Sequence, residues 1–219
     1  MSDRSSGPDE GLRATLFGTV PIEAWPLGDD PAGEPWDGFV RARHHLASGD
    51  QDLAIREWSQ IALAAELSGG ESRHVLQAWS FLRRAGVVPD ESIAGEVLGV
   101  VVEVTVEDAH DVLAAYRDGS VRYLNHAGGA TILDEVPPEV ALEAAALLTA
   151  GQALADRIGP WTDALPELPV GSTRLTMLTR GGPRFGQGPD SVLGDDPMAA
   201  PVLAAATGLL VAVVGLTSG

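Results

Sequence analysis

The chain has 219 residues, 45% of them hydrophobic, which is enough for one large domain or for a domain with a smaller helical module. It contains no cysteine and no lysine, which excludes disulfides, thiol nucleophiles, cysteine metal sites, a P-loop and lysine-based catalysis. Its 31 acidic residues against 14 arginines give a formal net charge of -17, and a field of this sign repels phosphate backbones. We therefore expect no nucleic-acid binding.

Residues 1–35 predict a disordered tail followed by an extended arm. The segment "MSDRSSGPDEG" is polar and has no apolar stretch typical of a secretory signal, so we expect a cytoplasmic protein. The arm, "PIEAWPLGDDPAGEPW", is rich in proline and glycine. Trp25 and Trp36 stand in it outside any periodic core pattern. They are interpreted either as anchors of the arm or as a partner-binding surface, because tryptophan is enriched at interface hot spots.

Residues 36–88 predict a helical module of three helices joined by short connections. Apolar side chains such as Leu53, Trp58 and Ile61 recur with helical spacing, and the breaks "SGD" and "SGGES" separate the helices. The stretch "ARHHLASGDQDLAIREWSQIALAAE" resembles a single tetratricopeptide hairpin, with its small residues and its Gly-Asp turn. The resemblance implies a helical hairpin and a peptide-binding role. The alternative is a packing module for the next domain, because such repeats need about three copies.

Residues 89–219 predict a sheet domain that begins after Pro89. "LGVVVEVTV" is a valine-rich strand, and "AAYRDGSVRYLNHAGGATILDE" indicates three short strands with tight turns. A two-residue turn at Asp118-Gly119 would place Asp111 opposite His126. On that register Val112, Ala114, Tyr116, Val121 and Tyr123 share the core face, and Asp111, Leu113, Arg117, Arg122 and His126 share the other face.

The second face contains the candidate chemistry of the chain. Asp111, His126 and Thr131 combine an acid, an imidazole and a hydroxyl, as general-base catalysis requires, and Arg122 could join them in a small hydrolase or ligand-binding enzyme. The alternative is an ordinary cross-strand polar pair on a regular sheet. Neither a metal site nor a cofactor is expected, because three convergent metal ligands cannot be assembled from the histidines and carboxylates.

The rest of the domain predicts a long helix after Pro137-Pro138, a second hairpin that turns near Gly181-Gly182, and a terminal helix from Pro197. The terminal helix is uncharged, but its alanine and glycine content and the lack of flanking arginine favour a buried helix over a membrane anchor. The predicted fold class is therefore α+β, with a small N-terminal helical bundle followed by a mostly antiparallel sheet covered by two long helices.

This element order resembles the α+β domains of the profilin, roadblock and longin type, which implies a scaffold or regulatory platform. The phrase "AAYRDGSVRYLNHAGG" also resembles one in uncharacterised bacterial proteins, which implies no function. The leading hypothesis is a non-enzymatic cytoplasmic adaptor or assembly subunit that engages a protein partner or forms a homo-oligomer. The second hypothesis is the enzyme that uses the Asp111, His126 and Arg122 face.

Overall fold

Helices form the first part of the chain, and an antiparallel sheet with further helices forms the second, which confirms the α+β prediction. The computed structural model describes residues 8–26, 33–107 and 109–217, and the chain divides into two units, residues 1–90 and 91–219. Within the described ranges the helices are α1 (Pro8–Phe17), α2 (Trp36–Ala47), α3 (Gln51–Ser68), α4 (Ser72–Arg84), α5 (Glu91–Ala94), α6 (Pro138–Ala155), α7 (Asp190–Asp195) and α8 (Ala200–Thr217). The strands are β1 (Val97–Val106), β2 (Ala109–Tyr116), β3 (Val121–Leu124), β4 (Ala130–Leu133), β5 (Ser172–Thr179) and β6 (Gly182–Pro189).

The helical unit has an aromatic core formed by one side chain from each of its three central helices. Phe39 of α2 lies 6.1 Å from Phe81 of α4, and Trp58 of α3 lies 5.1 Å from the same ring, between ring centroids. All three are buried. Each helix thus contributes one large ring from its apolar face, and the three faces form a bundle, as the periodicity of residues 36–88 predicts.

The N-terminal part of this unit differs from the prediction of a disordered tail and an extended arm over residues 1–35. Pro8–Phe17 is an α-helix, and Ile22–Ala24 form a single 3-10 turn. Leu16 and Phe17 are buried. The sequence suggested disorder because Gly, Pro and Ser dominate the first eleven residues, whereas the apolar residues that order the helix come at its far end. Residues 1–7 and 27–32 of the predicted tail and arm lie outside the described residues.

The second unit is a six-stranded antiparallel sheet with the order β4-β3-β2-β1-β5-β6. Helices α6 and α8 pack on one face, where Val100 and Val102 of β1 meet Leu147 of α6 and Leu209 of α8. Helix α6 begins at Pro138, where a missing backbone N–H costs nothing. Among the residues that the structure describes, none of the helices combines the length and the hydropathy that crossing a bilayer requires.

The β2–β3 hairpin has a register one residue away from the predicted one. The chain turns through three residues, Arg117 to Gly119, with Gly119 N–H donating to Tyr116 O and Tyr116 N–H donating to Ser120 O. Gly119 has φ +91°, the left-handed position that follows a type I turn in three-residue hairpin loops. The Asp-Gly pair is therefore a turn, as predicted, but the loop is one residue longer.

This shift changes which side chains share a face. Leu113 pairs with Tyr123 and Ala115 with Val121, and these four residues face α6 and α8. Ala114 pairs with Arg122, so this arginine faces the opposite side of the sheet. The predicted face that combined Asp111 and His126 with Arg122 is therefore wrong.

The side of the sheet away from α6 and α8 contains a buried ion pair. Glu103 of β1 and Arg174 of β5 are register partners, and their side chains lie 3.2 Å apart with only about a twentieth of each exposed. Arg174 also donates to Gln187 on β6 and to the carbonyl of Pro166. These contacts fasten the loop after α6 against the sheet.

Candidate functional site

A row of aromatic rings runs from the core of the helical unit to its surface. Trp25 lies 4.4 Å from Phe39 and 5.4 Å from Trp36, between ring centroids. Trp25 is only 8% exposed, whereas Trp36, the first residue of α2, is 44% exposed. His74 of α4 meets Trp36 edge-on at 5.1 Å. The surface ring is thus supported by buried rings beneath it and by an imidazole at its side.

Two contacts hold the segment before α2 against α4. The side-chain amide of Gln77 accepts a hydrogen bond from Val20 N–H at 2.9 Å and donates one to Val20 O at 3.0 Å. Gly18, with φ +61°, lies so close to α4 that a Cβ atom there would be 2.7 Å from Cβ of Leu76. Only glycine fits this approach, since both the conformation and the space exclude a side chain.

Beside this aromatic row is a cavity of about 370 Å³. Its walls combine the two tryptophans with polar groups of α4. It is lined by Thr15, Gly18, Val20, Ala24, Trp25, Pro26, Trp36, Glu71, Arg73, His74 and Gln77. This volume lies in the range of pockets that hold small ligands or one or two peptide side chains.

A second cavity of about 490 Å³ adjoins the first and shares Glu71 and His74 with it. It lies over Ile61, Ala64 and Ala65 of α3, and its rim contains Arg41, Glu34 and Glu57. The guanidinium of Arg41 donates to Glu57 at 3.0 Å and to Glu34 at 2.8 Å. These bonds raise the pKa of Arg41 above its ordinary value.

The two tryptophans that the sequence singled out therefore lie together, but in different environments. Trp36 stands at the mouth of the first cavity, with 44% of its surface exposed. Trp25 belongs to the buried core of the unit, as the interpretation of an anchor predicts and the interpretation of a partner-binding surface does not. The sequence missed the groups that complete the cavity, Arg73, His74 and Gln77, because they come from α4, more than 30 residues later.

The acid and imidazole predicted in the sheet domain are brought together. Asp111 Oδ1 accepts a hydrogen bond from His126 N–H at 2.7 Å and lies 2.8 Å from His126 Nδ1. The third member of the cluster is Tyr123, whose hydroxyl donates to Asp111 Oδ2 at 3.0 Å. Thr131 instead pairs with Tyr123 from strand β4, and no hydrogen bond joins it to Asp111 or His126 within the described part of the chain.

The surroundings of Asp111 explain its ionisation. Burial by itself raises the pKa of this carboxyl, but the hydrogen bonds from His126 and Tyr123 outweigh burial and hold the pKa below its ordinary value. The pKa of the Tyr123 hydroxyl is raised, first by burial and then by its bond to Asp111. The carboxylate of β2 therefore links Tyr123 of β3 to His126, which follows β3. Tyr123 takes the place of the hydroxyl nucleophile that the sequence assigned to Thr131.

Arg122 does not take part in this cluster. Its guanidinium donates to the carbonyls of Val121 and Leu133 at 3.0 and 2.9 Å and pairs with Asp134 on the opposite side of the sheet. Neither of the two cavities described above is lined by Asp111 or His126. The three residues of the enzyme hypothesis are thus divided between two faces.

Within the described ranges, no group of three or more histidine, aspartate or glutamate side chains is arranged to hold a metal ion. Comparison of the chain with protein family models, with curated proteins and with solved structures finds no match.

Proposed function

We propose that this protein is a non-enzymatic adaptor or assembly subunit whose helical unit binds a short segment of a protein partner beside Trp36. The observation that carries the proposal is the position of Trp36. This ring is 44% exposed at the mouth of a cavity while its inner side rests on Trp25. A rigid aromatic surface of this kind loses little conformational entropy on binding, which is why tryptophan dominates interface hot spots.

A guanidinium, a carboxylate and an imidazole lie around the ring. Arg73 is paired with Glu71 at 2.5 Å, and His74 lies 4.0 Å from the same carboxylate. The apolar floor of the adjoining cavity continues the surface along α3. We propose that the resemblance of α2 and α3 to a tetratricopeptide hairpin reflects the same use, capture of an extended peptide. We also propose a cytoplasmic location, since the chain needs no disulfide.

The enzyme hypothesis has less support. Asp111 and His126 form an oriented acid-imidazole pair, but the hydroxyl that meets them is a phenol with a raised pKa, which makes it a poor nucleophile. Because Arg122 lies on the other face, it cannot stabilise charge at this pair.

A displayed library of random peptides, selected on the full-length protein, tests the adaptor proposal. Peptides enriched on the wild type should lose about 2 kcal/mol of binding free energy, roughly thirtyfold in affinity, with Trp36→Ala. Trp161→Ala is the matched control, because Trp161 is 41% exposed in the other unit. Trp161→Ala should bind the selected peptides with the affinity of the wild type. Selected peptides that bind Trp36→Ala as tightly as the wild type would show that the interface lies elsewhere.

A further inference from the structure

Helices α6 and α8 expose an apolar surface on the side opposite their buried faces. Leu142 of α6 is 70% exposed and Val211 of α8 is 67% exposed. The other exposed positions of the two helices include the small residues Ala146, Thr149 and Ala204. We call these five residues and their exposed neighbours on the two helices the outer α6–α8 face.

This face contains almost no charge. Helix α8 has no charged residue in its 18 positions, and α6 has only Glu139 and Glu143. Glu143 lies at the contact between the helices, against Gly208, whose missing side chain leaves room for the carboxylate. The rest of this unit is strongly acidic, since residues 91–219 contain 17 acidic residues against six arginines, a net charge of -11.

We infer that a second copy of this chain docks on the outer α6–α8 face. Two acidic molecules repel each other over most orientations, and the repulsion is smallest where each molecule presents its face of lowest charge. A two-fold axis pairs the patch of one copy with the same patch of the other copy, so the patch must be self-complementary. Large Leu142 and Val211 of one copy can seat on small Ala146 and Ala204 of the other, as ridges in grooves.

The area of this face agrees with a dimer rather than with an incidental contact. Each helix has 18 residues and is therefore about 27 Å long. Two helices side by side, about 10 Å between their axes, make the face roughly 20 Å wide and roughly 27 Å long. Two such faces bury roughly 1,100 Å² together, just above the area of about 1,000 Å² that a specific interface needs. A reversible, concentration-dependent dimer follows from this size.

This inference does not depend on the proposed function, because the aromatic cavity lies in the other unit. Sedimentation equilibrium of the full chain over an about hundredfold range of concentration tests it. The wild type should show a monomer-dimer equilibrium, and the dimer should tighten with added salt, because screening weakens the repulsion between the acidic surfaces. A chain that stays monomeric at all concentrations overturns the proposal.

Variants locate the contact. Leu142→Glu should abolish the dimer, and Ala146→Gln, which keeps high helix propensity and adds no charge, should weaken it by at least about tenfold. Leu67→Glu is the matched control, because Leu67 is 80% exposed on α3, and it should dimerise like the wild type. Circular dichroism melting confirms that each variant is folded.

Equal loss in the Leu142 and Leu67 variants contradicts the assignment of the face. A lipid surface is the competing occupant, tested by flotation with phosphatidylcholine vesicles. Vesicle binding by the wild type that Leu142→Glu removes would overturn the second-copy proposal. The peptide selection with Trp36→Ala is scored separately, so failure of one proposal is distinguishable from failure of the other.

Discussion

Gln77 and Val20 are joined by two hydrogen bonds, in which the side-chain amide of the glutamine pairs with both backbone groups of the valine. In a sheet, a neighbouring strand would bond both backbone groups of Val20. Here the amide of Gln77 does so instead, and it satisfies the N–H and the C=O of an irregular segment. Gln77 is buried, so its amide has little access to water as an alternative partner. The pair fixes the chain that leads to Trp25 and Trp36.

Gln77→Leu should therefore lower the free energy of unfolding by about 2 to 3 kcal/mol, since it leaves the N–H and C=O of Val20 without their partners. Urea denaturation monitored by tryptophan fluorescence measures the change. Gln60→Leu is the control, because Gln60 is exposed on α3, and it should alter stability by less than about 0.5 kcal/mol. Equal midpoints for the two variants would show that the pair does not stabilise the unit.

Substitution of the two tryptophans should distinguish the residue that stabilises the fold from the residue that binds a partner. Trp25→Ala should cost about 3 to 5 kcal/mol, because it empties the space between Phe39 and Trp36 in the core. Trp36→Ala should cost less than about 1 kcal/mol, because the ring is largely solvated on its outer side. Thermal melts of both variants measure the difference. Similar losses of stability for the two variants would mean that Trp36 is structural. A loss of peptide binding in Trp36→Ala would then not demonstrate a direct contact with the peptide.

Gly119 occupies the position of the β2–β3 turn whose left-handed backbone conformation strains a β-branched residue. Gly119→Val should cost more than about 1 kcal/mol, because a β-branched residue resists φ near +91°. Gly159→Val is the control, since Gly159 has no positive φ and nothing lies near the position of its Cβ. An unchanged denaturation midpoint for the Gly119 variant, measured in urea, would contradict the observed turn.

The ionisation of Asp111 should appear in the pH dependence of stability. Its pKa is lower in the folded protein than in the unfolded chain, so the carboxylate stabilises the fold at pH values above the unfolded pKa of about 3.9. This contribution is lost as the pH falls through the folded pKa. Relative to Asp111→Asn, the wild type should be more stable at neutral pH, and the difference should shrink below about pH 4.

Chemical denaturation at a series of pH values measures this difference. Asp163→Asn, at an exposed carboxylate of the loop after α6, serves as the reference for general effects of net charge. A difference between wild type and Asp111→Asn that grows on acidification would mean that the hydrogen bonds from His126 and Tyr123 do not favour the charged form.

The sequence singles out Trp36 because a large ring in a polar segment has no local core pattern to explain it. Trp25 has the same sequence context, yet it is core, because its neighbours Phe39 and Phe81 lie on helices formed by later segments. For the Asp111 cluster, a turn one residue longer than predicted brought in Tyr123 and placed Arg122 on the other face.

Composition and local pattern determined the α+β class of this protein, because hydrophobic periodicity, turn residues and caps act within a few residues of one another. Helices α2, α3 and α4, the antiparallel sheet and the two long helices that cover it follow from such patterns, whereas α1 does not. Tertiary structure alone decided the register of the β2–β3 hairpin, the burial of Trp25 and the cavity between α1, α2 and α4. The hairpin register decides which side chains of β2 and β3 pack on α6 and α8, because a shift of one residue changes the face on which each side chain lies. The burial of Trp25 and the cavity depend on contacts with α2 and α4, which lie later in the chain.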